Sequence, residues 1–277
     1  MEKILVLMDP MKPGNNALEF ACFLRRQTPS RIICIFLDNP ETARPVQRDL
    51  HGFPVVFAEK DLRKNQIAAE ARIETRIFAL KKEYAGMGVD FESDRNYPLR
   101  EEYIIRESRY ADLLVLDAGM MSYKASEGSP TSFVKDILKQ SACPVAVAPE
   151  DIEEMKEIVF CNNNSPDSIF AIKQFTHLFP QLQNKKLTIL QVVEDSERET
   201  NTENHFREWL QSHYYDYRFD IYNGDVNHVL FDYLFKRKNI FIIMGAYGRN
   251  ALSTFLKKST AGHLIKMITQ PIFISHR

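Results

Sequence analysis

Short, continuous apolar runs alternate along the whole chain with longer segments of helical period. The runs are Ile4 to Met8, Arg31 to Leu37, Leu113 to Leu116, Pro144 to Val147, Ile158 to Cys161, Leu187 to Val193, Ile240 to Met244 and Ile272 to Ile274. Continuous rather than alternating apolarity predicts strands covered on both faces, as in a parallel sheet. Tyr217 to Tyr222 alternates as a partly covered strand does, and Val89 to Phe91 is a short strand candidate. Between the runs lie amphipathic stripes: Ala17, Leu18, Ala21 and Leu24; Ile73, Ile77, Leu80 and Tyr84; Phe133, Val134, Ile137 and Leu138. Further stripes are Ile169, Ile172, Phe175 and Phe179; Phe206, Trp209 and Leu210; Val229, Leu230, Tyr233 and Leu234. These predict helices. Asn15 or Asn16 is placed to cap the first, and Gly86 and Gly88 to end the second. Pro98 opens a helix-like segment through Tyr103 and Ile104, Pro166 sits near a helix start, and a last helix is expected from Ser259 to Met267. Residues 38–60 read as irregular, with Pro40, Pro45 and Pro54 breaking any long element.

The programme runs twice. Asp9 is followed eight residues later by Ala17-Leu18, and Asn163 eight residues later by Ala171-Ile172. Leu113 to Leu116 matches Phe241 to Met244, and the segment ending Pro144-Val145 matches that ending Pro271-Ile272. Strands separated by helices imply right-handed parallel crossovers. The expected fold is α/β: two tandem three-layer α/β/α sandwiches with five-stranded parallel sheets, Rossmann-like. The expected domains are 1–149 and 156–277, with the acidic stretch from Pro149 to Met155 as linker.

Composition narrows the function classes. The 277 residues include 36 basic and 37 acidic side chains, so net charge gives no support to a nucleic-acid or membrane partner. Arg106 to Arg109 is too weak a basic patch for nucleic acid. The four cysteines, Cys22, Cys34, Cys143 and Cys161, lie in apolar surroundings without a C-x-x-C and read as reduced core thiols. The N-terminal apolar run is too short for a signal peptide, and no run approaches a membrane span, so a soluble cytoplasmic protein is expected. The seven histidines are scattered, and no metal site is expected. Ser259 and His263 could share a helix face, but no carboxylate completes a triad, and no catalytic residue is assigned. Tyr214, Tyr215 and Tyr217 either line a pocket or start a strand packed against a helix; the second reading is favoured.

The candidate chemistry sits at Gly245-Ala-Tyr-Gly248. An apolar strand leads into the glycines, and Ser259-Thr260 precede a segment of helical period. Strand, glycine turn, hydroxyl pair and helix together suit an anion held by backbone N–H groups. In open α/β sheets the ligand crevice lies at the carboxyl ends of strands, where strand order reverses. Asn162-Asn163 and Gly245 to Gly248 both follow strands and are expected to meet there; Asp9 and the loop from Asp117 are their counterparts in the first half.

With these residues the chain resembles the universal stress protein (UspA-like) family in its tandem form, over nearly its whole length. The resemblance is strongest at Met1 to Ala21, Ala111 to Leu116, Ser141 to Pro149 and Ile240 to Arg277. It implies the adenine nucleotide alpha hydrolase type of fold. Nucleotide-binding members carry a glycine, two residues, a second glycine, nine residues, then a third glycine and Ser or Thr. Here Gly245, Gly248 and Ser259 fit that pattern, but Lys258 stands at the third glycine. The family aspartate that contacts adenosine is Asp9 in the first half and Asn163 in the second. In the first half Asp117 and Met120 replace or displace the glycines before Thr131-Ser132, and Asp117 adds charge of the wrong sign for phosphate. The resemblance implies a non-enzymatic stress-response or regulatory protein. Its second half would bind ATP or a related adenine nucleotide through Asn163, Val192, Gly245, Gly248, Arg249, Lys258, Ser259 and Thr260. Two alternatives stay open: a structural or protein-interaction module with both sites lost, and a weak ATP hydrolase. Family members pair their last strands; the two halves are expected to do so internally, as a pseudo-dimer, through Val145 to Ala148 and Ile272 to Ser275. Such edges would otherwise be exposed. A homodimer of whole chains is a further option.

Overall fold

The computed structural model describes residues 1–9, 14–37, 59–92, 101–120, 131–152, 154–193, 202–245 and 269–275. The first half runs β1 (Lys3–Met8), α1 (Asn16–Gln27), β2 (Arg31–Phe36), α2 (Glu59–Glu83), β3 (Val89–Glu92), α3 (Glu101–Ser108), β4 (Leu113–Asp117), α4 (Ser132–Gln140) and β5 (Val145–Ala148). The second runs β6 (Glu157–Cys161), α5 (Pro166–Leu178), a 3₁₀ helix (Pro180–Asn184), β7 (Lys186–Val193), α6 (Thr202–Gln211), β8 (Tyr217–Asn223), α7 (Val226–Phe235), β9 (Ile240–Gly245) and β10 (Ile272–Ser275). The expected features at 38–58, Pro98 and 259–267 lie outside the described residues.

The strands form one sheet in the order β3-β2-β1-β4-β5-β10-β9-β6-β7-β8. Neighbours are parallel within each half, and the halves meet where β5 and β10 pair antiparallel, with Val147 opposite Ile272 and Val145 opposite Ile274. The expected five-stranded parallel units are therefore present as two halves of a continuous sheet. The register repeats too. Ile4 faces Leu113 and Ile158 faces Phe241; Asp117 faces Ala148 and Gly245 faces Ser275. Counting along each strand from these pairs puts Asp9 and Asn163 at equivalent positions, and likewise Asp117 and Gly245.

Strand side chains alternate between two faces, and each face has its own core. Ile4, Val6, Phe160, Phe241 and Phe273 pack against α1 and α5, whereas Leu5, Leu114, Val159, Ile242 and Met244 pack with Ile104 of α3, Val134 of α4 and Leu230 of α7. Both cores cross the junction. Phe20 of α1 meets Phe241 edge-on at 5.8 Å across it, and Phe175 of α5 meets Phe273 of the junction strand β10 at 5.4 Å within the second half. The hydroxyl of Thr28, after α1, lies 2.8 Å from Gln181 Oε1 in the other half.

The first helix stripe read from the sequence is fully buried: Ala17, Leu18, Ala21 and Leu24 are all 2% exposed or less. Gly86 (φ +78°) and Gly88 (φ +67°) close α2, as expected. Two details differ. Asn15 occupies the N-cap position of α1 without a side-chain cap bond; its Oδ1 instead accepts from Arg76 Nη2 at 2.8 Å. The stretch from Pro149 to Met155 is polar in composition, yet Pro149 and Met155 are buried, because apolar residues at its two ends pack into the junction.

Candidate functional site

Strand order reverses between β6 and β9, which lie side by side with Cys161 opposite Met244. The chain leaving β6 turns at once. Asn162 is buried, and its carboxamide closes the turn: Oδ1 accepts from Asn164 N (2.9 Å) and Ser168 Oγ (3.0 Å), while Nδ2 donates to Asn164 Oδ1 (3.0 Å). Asn164 takes φ +58°, a conformation Asn tolerates better than most residues. Ser165 then caps α5, its Oγ accepting from Ser168 N at 3.2 Å. Asn163 is held on the outside of this turn with its side chain exposed, and its Oδ1 accepts from Ser165 N at 3.1 Å. One carboxamide thus builds the turn and its neighbour faces outward.

Gly245 is the last residue of β9. A Cβ there would fall 2.6 Å from the Asp167 carbonyl carbon and 2.6 Å from Ser168 N, both backbone atoms in the first turn of α5. Val192, half-buried, is the next-to-last residue of β7 and pairs with Tyr222 of β8. Three expected site residues, Asn163, Val192 and Gly245, therefore come together at the carboxyl ends of adjoining strands. Gly248, Arg249, Lys258, Ser259 and Thr260 lie outside the described residues. Beneath the turn, Cys161 is completely buried, and burial pushes its thiol up to about 12.

The matching region of the first half is filled differently. Asp117 ends β4, and Met120, two residues past Ala118, is fully buried. Thr131 donates from Oγ1 to the Met120 carbonyl at 2.6 Å, and the same oxygen accepts from Val134 N at 3.3 Å as the N-cap of α4. The hydroxyl that aligns with the second half's loop is here occupied as a helix cap.

Sequence reasoning missed a polar cluster at the opposite, amino ends of the second-half strands. Glu157, at the start of β6, accepts two bonds from Arg237 Nη1 at 2.9 and 3.0 Å and one from Thr188 Oγ1 at 2.5 Å. Lys186 Nζ stands 3.6 Å away and Arg218 Nη2 3.7 Å. Asp220 accepts from the Tyr233 hydroxyl at 2.6 Å and lies 3.5 Å from Arg237 Nη2. Members of this cluster are spread from position 157 to position 237, so no local motif marks it; only the strand order β6-β7-β8 assembles it. The tyrosine group resolves as the packing reading: Tyr214 is buried, with its hydroxyl 2.7 Å from Thr176 Oγ1 and its ring edge-on to Phe160, whereas Tyr215 is 95% exposed.

Among the described residues, no group of three or more His, Cys, Asp or Glu could hold a metal ion, and no helix is long and apolar enough to cross a membrane. No family model matches the sequence. No curated protein matches it either. Solved structures do match in fold. The chain is similar to a universal stress protein from Archaeoglobus fulgidus DSM 4304, with TM-score 0.66 and 15% identity over 99% of this chain and 96% of that one. It is similar to a putative universal stress protein from Pseudomonas aeruginosa UCBPP-PA14, with TM-score 0.55 and 14% identity over 99% and 93% of the two chains. A protein of unknown function from Pseudomonas aeruginosa PAO1 matches with TM-score 0.54 and 15% identity over 99% and 92%. The duplicated strand order, the repeated register and these full-length likenesses agree: the chain has the universal stress protein fold in tandem form.

Proposed function

We propose that the protein is a non-enzymatic, cytoplasmic regulator of the stress-response type, with domains 1–149 and 156–277, whose second half binds ATP or a related adenine nucleotide. The observation that carries this reading is the meeting of Asn163 and Gly245 at the carboxyl ends of adjoining strands, where strand order reverses. Asn163 offers an exposed carboxamide, and Val192 offers apolar surface beside it. Gly248, Ser259 and Thr260 would supply backbone N–H groups and hydroxyls to the phosphates, with Arg249 and Lys258 supplying positive charge. The buried Met120 and the occupied Thr131 hydroxyl support a first half without nucleotide.

The test is native purification, denaturation and chromatography of released nucleotide, followed by calorimetric titration with ATP. Stoichiometric release, or saturable binding of one ATP per chain, is expected. No binding up to millimolar ATP sinks the proposal. A specific observation favours a second reading, an interaction module with both sites lost: the backbone of α5 fills the space beside Gly245, so packing alone accounts for that glycine.

A further inference from the structure

The sheet ends in two unlike edges, β3 and β8, and among the described residues no strand lies beyond either. An edge strand presents unpaired N–H and C=O groups that another chain can bond, and native edges are commonly blunted by shortness and charge. β3 is blunted in both ways. It has four residues, Val89 to Glu92. Pairing two copies of it antiparallel about Asp90 sets Asp90 against Asp90, and pairing them about Phe91 sets Asp90 against Glu92; like charges directly opposite repel. β8 has seven residues, Tyr217 to Asn223, with the sequence YRFDIYN. Its Ile221 is 50% exposed, and Tyr222 is exposed beside it.

The ladder with β7 fixes which backbone groups of β8 face outward. Val193 stands opposite Asn223, and its carbonyl accepts from Gly224 N at 3.3 Å. Alternate residues of a strand turn their N–H and C=O to the same neighbour. Arg218, Asp220 and Tyr222 therefore bond to β7, whereas Tyr217, Phe219 and Ile221 turn their backbone groups to the open edge. Two copies of β8 must meet through this second set. Three antiparallel registers then overlap most of the strand, those centred on Phe219, Asp220 and Ile221. Centring on Asp220 sets Asp220 against Asp220, and centring on Ile221 pairs no charges. Centring on Phe219 sets Arg218 against Asp220 twice and Tyr217 against Ile221 twice. Opposite charges and aromatic with β-branched side chains are the favourable cross-strand pairs. Arg218 and Asp220 fall at the non-hydrogen-bonded positions, where opposite Cα atoms come within about 4.5 Å.

We propose that β8 is the docking edge for a second copy of this chain, paired antiparallel about a two-fold axis at Phe219. The strand is charge-complementary to itself in that register and in no other that overlaps as much of it. Arg218 already lies 3.3 Å from Asp220 of its own chain. The two-fold joins this pair to its copy in one network of two cations and two carboxylates. Tyr217 covers the exposed Ile221 of the second copy on the other face. The molecule uses the same kind of contact once internally, where β5 and β10 pair antiparallel between the halves. The proposal is independent of the nucleotide reading, since β8 contains none of the residues assigned to that site.

The test is sedimentation of the full chain from about 1 to 300 μM, the range of small transient interfaces. A monomer–dimer equilibrium is expected. Raising NaCl from about 0.1 to 0.5 M should weaken the dimer about threefold, because the Arg218–Asp220 pairs are screened. Ile221→Pro removes an outward N–H that β7 does not use, and proline is tolerated at such edge positions. That variant should melt close to the wild type yet dimerise at least about tenfold more weakly. Arg218→Gln leaves the backbone intact and should weaken the dimer about fivefold. Residue-level amide exchange gives a readout without substitution. Phe219 and Ile221 should slow as concentration rises, whereas Asp220 and Tyr222, already bonded to β7, should not change. A monomer throughout the range, a dimer untouched by Ile221→Pro, a dimer unchanged or tighter at high salt, or equal slowing at all four amides would overturn the proposal.

Discussion

Gly245 lies flush against Asp167: a Cβ on the glycine would stand 2.6 Å from the Asp167 carbonyl carbon, inside any real contact distance. The cause is the length of the turn after β6. α5 starts at Pro166, five positions past Cys161, whereas α1 starts at Asn16, eight positions past Met8. The shorter turn draws the first turn of α5 down onto the end of β9. The longer one in the first half coincides with Asp117, which has a side chain, at the position equivalent to Gly245.

Gly245→Ala should therefore destabilise the protein by about 1–3 kcal/mol, the usual cost of forcing a methyl group into a packed contact. The opposing atoms are backbone, so no side chain can swing aside. A lower urea midpoint with an unchanged denaturant slope is the expected result. A variant with the wild-type midpoint would mean that α5 yields freely, leaving packing as no explanation for the glycine.

The Glu157 cluster predicts a comparable loss from a nearly isosteric change. Glu157→Gln keeps the shape but leaves Arg237, Arg218 and Lys186 facing a neutral group at the start of β6. Hydrogen bonds to charged groups contribute about 1.5–3 kcal/mol each, and the Glu157 side chain is only 12% exposed. A destabilisation of about 2 kcal/mol is expected at neutral pH by urea unfolding. Arg237→Met together with Glu157→Gln should cost less than the sum of the two single changes, as double-mutant cycles show for partners in one network.

Most of the scaffold was legible because it is written in local periodicity. Runs such as Ile4 to Met8 and Phe241 to Met244 are buried on both faces in the way their unbroken apolarity implies. What escaped depends on partners distant in sequence. Asn15 reads as a cap, but Arg76, from α2, takes its carboxamide. Gly245 reads as an anion-loop glycine, and only the tertiary position of α5 gives it a packing reason. Glu157 has no local signature, since Arg237 lies 80 residues away. Asn162 reads only as a polar residue after a strand, and Ser168 lies just past Pro166, near the expected helix start; the burial that makes them structural is a property of the folded turn.

The buried thiols predict a loss of stability in alkali. Burial pushes Cys143 up to about 11 and Cys161 up to about 12, from an ordinary value of 9.0. Below pH 9 both states are protonated and the thiols do not discriminate. Between pH 9 and 11 the unfolded chain ionises them while the folded chain does not, so the unfolded state binds fewer protons and stability falls as pH rises. Each such thiol steepens the decline by up to about 1.4 kcal/mol per pH unit. Cys143→Ala should therefore lose stability less steeply than the wild type between pH 9 and 11. The same burial predicts that Cys22, which is half-buried, reacts first with a thiol reagent at pH 8, ahead of Cys34, Cys143 and Cys161. Equal labelling of all four in the native state would contradict both expectations.

The junction predicts how the chain unfolds. β5 and β10 share a ladder, Phe20 reaches Phe241 across it, and Thr28 bonds to Gln181. With both cores continuous across the two halves, neither half is expected to melt alone. Trp209, the single tryptophan, lies in α6 of the second half and stacks on His213 at 4.3 Å, so its fluorescence reports that half. Far-ultraviolet circular dichroism reports both. Coincident urea transitions by the two probes are expected. Phe273→Ala removes a fully buried ring from the junction, where it packs on Phe175 and Phe179. Its cost should be about 3–5 kcal/mol, with both probes shifting together. A tryptophan transition that moves while most of the circular dichroism signal stays in place would show that the halves unfold independently despite the shared sheet.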